Sequence, residues 1–215
     1  MHKLLLPLIL LLTATGGVLA LSGADEAAAH KSGSVPDFQF GGVEPNPTLE
    51  TLTRAVAVAR EQGLDFILGV GGGSVSDGAK FVAAAALYNG DGWDIVCGHP
   101  AVTEALPVGV VLTLPATGSE SNAAAVVTRA ATREKRVFYA QPARPRFAIL
   151  NPRVMASLPD RQLANGLVDA FVHVCEQYLT YPVGALVQDG YAEAVLRALK
   201  TLADSSPAAI VTLNR

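Results

Sequence analysis

A short apolar run, DFILGV at residues 65–70, leads directly into Gly71, Gly72, Gly73 and Ser74, and then into VSDGAKFVAAAALY at 75–88. This order, apolar strand, glycine turn, small-residue helix, constrains the fold more than any other stretch of the chain. Glycines reach backbone conformations closed to other residues and let a ligand oxygen come close to main-chain amides. The helix that follows offers unpaired N–H groups and the positive end of its dipole, a natural anion site. Gly69, Gly71 and Ser74 nearly spell the dinucleotide fingerprint, with serine in place of the third glycine. On these residues alone, pyrophosphate binding and a purely structural tight turn both stay open. Asp91 and Asp94 follow at about the ~20 residues expected of a ribose-binding acid, in a Gly-rich loop where they read equally as ordinary loop residues.

The flanking segments extend the same alternation. TLETLTRAVAVAREQG, residues 48–63, predicts a helix capped by Thr48, apolar at 49, 52, 55, 56 and 59, and ended by Gly63. PVGVVLTLP, RVFYA and FAILNP read as further short strands. Strands alternating with helices predict an α/β layer with parallel pairing. Beyond Pro152 the strand pattern stops, and 158–180 and 182–203 carry helical periodicity. The expected domains are an apolar leader at 1–21, an α/β domain at 22–153 and the start of a helical domain at 154–215.

Only 16% of residues are charged and half are hydrophobic, so the chain can bury a core and disorder is excluded as its general state. The net charge of −3 carries no basic block, which argues against nucleic acid as a partner. Cys97 and Cys175 can be a disulfide or free thiols; spacing does not decide. Leu4 to Leu21 is uncharged and mostly apolar, with Val18 and Ala20 before a cleavage position after Ala20. It reads as a secretory signal, a buried first strand or an altered start. Membrane association is expected of no other segment.

Two polar features remain. TLPATGSESN, residues 113–122, gathers Thr113, Thr117, Ser119, Ser121 and Asn122 at a strand end, where parallel sheets bind ligands; a polar helix start fits as well. Asp169 and His173 stand four apart on one helix face, a spacing for a divalent metal or for a plain hydrogen-bonded pair. His2, His30 and His99 do not complete a ligand set, and none lies C-terminal to the pair.

FGGVEPNP, DFILGVGGGSVSDGAKF, LTLPATGSESN and LPDRQLANGLVDAFVHVCEQYLT, in that order, resemble the iron-containing alcohol dehydrogenases, in the branch of butanol dehydrogenases and NADPH-dependent aldehyde reductases. The resemblance implies a Rossmann-like α/β domain followed by an all-helical one, an architecture shared with dehydroquinate synthase. It implies that Gly72, Gly73 and Ser74 hold the pyrophosphate of NADP or NAD. Thr113, Thr117, Ser119 and Asn122 would line the nicotinamide and ribose, and Lys135 would be the cofactor lysine, with Arg136 as the alternative alignment. Asp169 and His173 would be two of four ligands to iron or zinc, with no catalytic residue beyond the metal ligands. The activity implied is hydride transfer between nicotinamide and a primary alcohol or aldehyde, in the cytoplasm, export being the alternative; a homodimer is one assembly it allows. The family's other two histidine ligands lie farther along than this sequence reaches, so impaired activity is expected. The family's opening strand and glycine turn are expected to be replaced here by the apolar opening, with LLLTATGG as a relic. Two other readings are kept: an inactive dinucleotide-binding module, and a dehydroquinate synthase-like lyase, against which the scarcity of phosphate-binding side chains counts.

Overall fold

The computed structural model describes residues 9–14, 37–180 and 183–205. His2, His30, most of the expected leader and the tail after Ser205 lie outside the described residues. The chain divides into two compact units: one takes in the residues up to Leu112 together with Ser119–Ile149, the other Thr113–Gly118 together with the residues from Leu150 on.

The first unit is α/β. Strands β1 (Ile9–Ala14), β2 (Asp37–Val43), β3 (Phe66–Gly71), β4 (Val108–Leu112) and β7 (Phe147–Ile149) form a five-stranded sheet in the order β2-β1-β3-β4-β7, every pair parallel. The register sets Leu68 of β3 against Leu11 of β1 and against Gly109 of β4. Helix α1 (Leu49–Glu61) precedes β3, α2 (Gly73–Leu87) leaves it, and the short α3 (Gly92–Val96) follows. Strands β5 (Ala124–Arg129) and β6 (Glu134–Tyr139) pair antiparallel in a separate hairpin.

Within the apolar opening, Ile9–Ala14 is a strand of the sheet. β1 lies between β2 and β3, and Leu12 is fully buried in the core. Residues 9–14 of the expected leader thus pair in the sheet, while the glycines expected after them lie outside the described residues. The small-residue segment after Asn122 is also no helix start; it is β5, paired residue by residue with β6.

Helix α1 forms as its pattern requires. The Thr48 hydroxyl accepts the Thr51 N–H, the positions 49, 52, 55, 56 and 59 are all buried, and Gly63 takes a φ of +60° just past the C-cap. Helix α2 is buried along most of its length, and its small residues permit that. A Cβ built on Gly78 would lie 2.9 Å from Leu52 Cδ2, and one on Gly69 3.2 Å from Ala79 Cβ. Helix and strand backbones meet more closely than larger side chains allow. At its end, the Arg60 guanidinium donates to the carbonyls of Ala85, Ala86 and Tyr88, adding side-chain donors where helical N–H partners run out.

The second unit holds α4 (Pro152–Met155), α5 (Asp160–Thr180) and α6 (Leu186–Ala203). α5 and α6 lie side by side, with Tyr178 donating to Glu193 at 3.1 Å. Gly166 of α5 is its one buried residue, because a Cβ there would stand 2.8 Å from the Pro115 carbonyl oxygen. The 113–118 segment thus belongs with α5.

Candidate functional site

The turn between β3 and α2 is built as its sequence requires. Gly72 is the N-cap of α2 in extended conformation, and its carbonyl accepts the N–H groups of Val75 and Ser76. A Cβ on Gly71 would meet Val75 Cγ2 at 2.5 Å, so the strand can enter this helix only through glycine. The first amides of α2, at Gly73 and Ser74, precede the positions that find an acceptor within the helix, and they carry its positive end. Donor chemistry and open backbone here fit a pyrophosphate.

A second loop reaches the same turn. Asn46 takes a φ of +57°, a left-handed conformation that asparagine tolerates better than most residues. Its N–H donates to Ser74 Oγ at 3.3 Å, and its Oδ1 accepts from Lys135 Nζ at 2.7 Å. Lys135 is delivered by strand pairing: the Thr128 N–H donates to the Pro47 carbonyl at 2.9 Å, and Thr128 stands opposite Lys135 in the hairpin. Arg136, the alternative alignment, pairs instead with Glu134 at 2.9 Å on its own strand. Ser74 and Lys135 are thus joined through Asn46, which the sequence had shown only as a turn residue between two prolines.

Under the turn sits a buried ion pair. Lys80 of α2 is fully buried and lies 3.7 Å from Asp77. Its ammonium donates to the Ser119 carbonyl and Oγ, each at 2.8 Å, to Asn122 Oδ1 at 3.2 Å and to the Ala124 carbonyl. Asp77 accepts from Ser119 Oγ at 2.5 Å and from the Val126 N–H at 3.0 Å. Burial lowers the Lys80 ammonium to about 8, the charges of Asp77 and Glu120 opposing the shift. Burial also pushes the Asp77 carboxyl above the usual carboxylate range, against the Ser119 hydroxyl and the Lys80 charge. A sequence signal existed: two opposite charges three apart in an otherwise apolar, alanine-rich helix.

Ser119 is therefore buried with its hydroxyl engaged by Asp77 and Lys80, and Asn122 turns its Oδ1 inward to Lys80 and the Ala124 N–H. Thr113 and Thr117 fall in the helical unit with Asp169 and His173. The candidates are thus divided: Gly72, Gly73, Ser74, Ser119, Asn122 and Lys135 in one unit, the two threonines and the Asp–His pair in the other. Asp91 is the N-cap of α3, accepting the Trp93 N–H at 2.9 Å, which is the ordinary loop role. Cys97 and Cys175 are free, half-buried thiols.

Asp169 Oδ2 and His173 Nε2 are 3.8 Å apart on α5, both about half exposed. Among the described residues no three histidine, cysteine, aspartate or glutamate side chains gather as a metal set. Two donors fall short of the three protein ligands a catalytic divalent metal ordinarily takes. The pair fits a metal only as part of a larger set.

A sequence model of the family described as iron-containing alcohol dehydrogenase matches residues 7–152. The NADPH-dependent aldehyde reductase YqhD of Escherichia coli is 48% identical over 203 residues, 93% of this chain and 52% of that protein. The NADH-dependent butanol dehydrogenase A of Clostridium acetobutylicum is 39% identical over 184 residues, 85% of this chain and 47% of that protein. Among solved structures, an NADH-dependent butanol dehydrogenase A from Thermotoga maritima superposes with a TM-score of 0.85 at 36% identity, covering 92% of this chain and 50% of the other. The chain spans about half the length of the curated relatives it matches. With the glycine turn in its strand–helix setting and the four motifs in order, the chain belongs to the iron-containing alcohol dehydrogenase family.

Proposed function

We propose that the chain holds NADP or NAD at the β3–α2 turn and serves hydride transfer between the nicotinamide and a primary alcohol or aldehyde. The observation that carries the reading is the Gly71–Ser74 turn with Lys135 tied to its edge through Asn46. Gly72 and Gly73 let the pyrophosphate approach the first amides of α2. The Ser74 hydroxyl, accepting from Asn46, keeps its proton for a phosphate oxygen, and Lys135 adds a positive charge beside it. With its Oδ1 turned inward, Asn122 offers Nδ2 to ribose or carboxamide, and Ser119 shapes the loop from below. Thr113 and Thr117, in the helical unit, are assigned as further hydroxyl donors to nicotinamide and ribose. When bound, the dinucleotide supplies or accepts the hydride; the protein supplies orientation and electrostatics.

Asp169 and His173 are assigned as two ligands of an iron or zinc ion that polarises the substrate oxygen when bound. A second reading is a dinucleotide-binding module without turnover. A cytosolic site of action is part of the proposal, since cleavage after Ala20 would remove β1, a strand with parallel partners on both sides. A secreted form beginning at Leu21 would overturn that part.

The test is calorimetric titration of residues 1–215 with NADPH and NADH, with butanal reduction followed in the presence of Zn²⁺ or Fe²⁺. Saturable binding of at least one dinucleotide is expected, weakened several-fold by Ser74→Ala or Lys135→Ala. Absence of saturation with both would sink the reading. Binding without reduction selects the module.

A further inference from the structure

We infer that Lys80 and Asp77 are positioning residues for the dinucleotide site, fastening the helix that carries the glycine turn to the polar loop Ser119–Ala124. The inference rests on the functional reading above and extends it to residues that do not touch the cofactor. An ammonium has three hydrogens, and five oxygens face Lys80 Nζ: the carbonyls of Ser119, Asn122 and Ala124, Ser119 Oγ and Asn122 Oδ1. Three main-chain carbonyls converging on one buried point repel one another unless a cation stands between them. Asp77 completes the clamp from the same helix, taking the Ser119 hydroxyl and the Val126 amide. Both ends of the loop, and the first residues of β5, are held by side chains one turn apart on α2.

A buried charge pair is an expensive way to stabilise a core. An apolar side chain of similar volume often does as well. What the pair adds is directional: it fixes where the loop sits relative to α2 and which way the Asn122 amide faces. Lys80 is seven residues beyond Gly73, about two helical turns, so a rigid helix links the clamp to the phosphate end. Misplacement of the loop would be felt by a cofactor touching both.

The experiment uses the 1–215 chain with Lys80→Met, which keeps length and loses charge, and Asp77→Asn, which keeps shape. Two quantities are read: amide hydrogen exchange and the dissociation constant for NADPH. The expected result is exchange raised tenfold or more at residues 119–126, with β3 and β4 unchanged, and NADPH affinity lowered at least tenfold. Ser74→Ala, as a contact control, should lower affinity and leave exchange alone. Wild-type exchange and affinity in both variants would overturn the inference. So would exchange raised across the whole sheet, which is general destabilisation. If Lys80→Met does not fold, Asp77→Asn carries both readouts. If the unsubstituted chain binds no dinucleotide, the functional reading fails, and the clamp is judged by exchange alone.

Discussion

The two units treat their apolar residues in opposite ways. In the α/β unit, α1 buries its whole inner face and α2 is buried along most of its length against sheet and hairpin. In α5 and α6 the one buried residue described is a glycine, while Val168, Val172, Leu179, Val187 and Tyr191 are each more than half exposed. Their spacing is as helical as that of α1. Periodicity therefore specifies a face, and a face becomes a core only where the rest of the unit covers it.

The sharpest way to break this contrast is a matched pair of charges. Leu12→Asp places a carboxylate at a fully buried point with no partner, and Leu186→Asp places one where the side chain is 86% exposed. The first should abolish the folded state of the α/β unit at neutral pH, since an unpaired buried charge exceeds the stability of most domains. The second should change stability by about 0.5 kcal/mol or less. Thermal melts by circular dichroism decide it. Equal losses would mean that the α6 face is covered in solution.

Within the α/β unit, Gly71→Ala tests the turn. Its Cβ would overlap Val75, where nothing can shift without moving the helix. Overpacking of this sort costs about 1–3 kcal/mol. Dinucleotide affinity should fall more than tenfold, because the first turn of α2 must tilt. Affinity kept at wild-type level would separate the tight turn from ligand binding and return it to a structural role.

The sequence made the local parts of this architecture legible. Thr48, Gly63 and the Gly71–Ser74 run act on their own neighbours, and each does in the fold what its spacing indicates. What it left obscure depends on residues far apart in the chain. The apolar opening was ambiguous because a buried parallel strand and an export signal are both uninterrupted apolar runs; the pairing of residues 9–14 with β2 and β3 is long-range and invisible in the sequence. Ser119 stood out as a hydroxyl at a strand end, but its partners lie 39 and 42 residues away on α2. Asn46 was visible only as turn chemistry until the hairpin brought Lys135 to it. The Asp169–His173 spacing was plain, and no third histidine, cysteine, aspartate or glutamate among the described residues joins it.

A smaller effect concerns the clamp. The Lys80 ammonium is held at about 8 by burial, below the value of a solvated lysine in the unfolded chain. Between that value and ~10.4 the unfolded chain binds the extra proton, so this group makes stability rise with pH, by at most about 1.4 kcal/mol per unit. Below about 8 both states are protonated and the contribution is flat. The measurable quantity is the difference between the unsubstituted chain and Lys80→Met, by urea melts from pH 7 to 10. The stability of the unsubstituted chain minus that of Lys80→Met should rise with pH above about 8; a constant difference would place the Lys80 titration outside this range.

The smallest effect is expected in the helical unit, at the residues with the most specific chemical assignment. Asp169 and His173 are both about half exposed and 3.8 Å apart, so their attraction is screened by water and contributes about 0.5 kcal/mol or less. Asp169→Ala and His173→Ala should therefore leave the metal-free melting temperature nearly unchanged, although both sit on the longest helix among the described residues. Their contribution should emerge only on titration with Zn²⁺, as loss of whatever stabilisation the metal gives the parent chain. Metal binding stabilises a fold through the ligands it joins, and two donors on one helix join little beyond that helix. A melting temperature that Zn²⁺ raises strongly in the parent chain, and not in either variant, would show that further donors complete the set. A metal-free loss of more than ~1 kcal/mol in either variant would show that the pair is covered, placing this face of α5 with the buried regions.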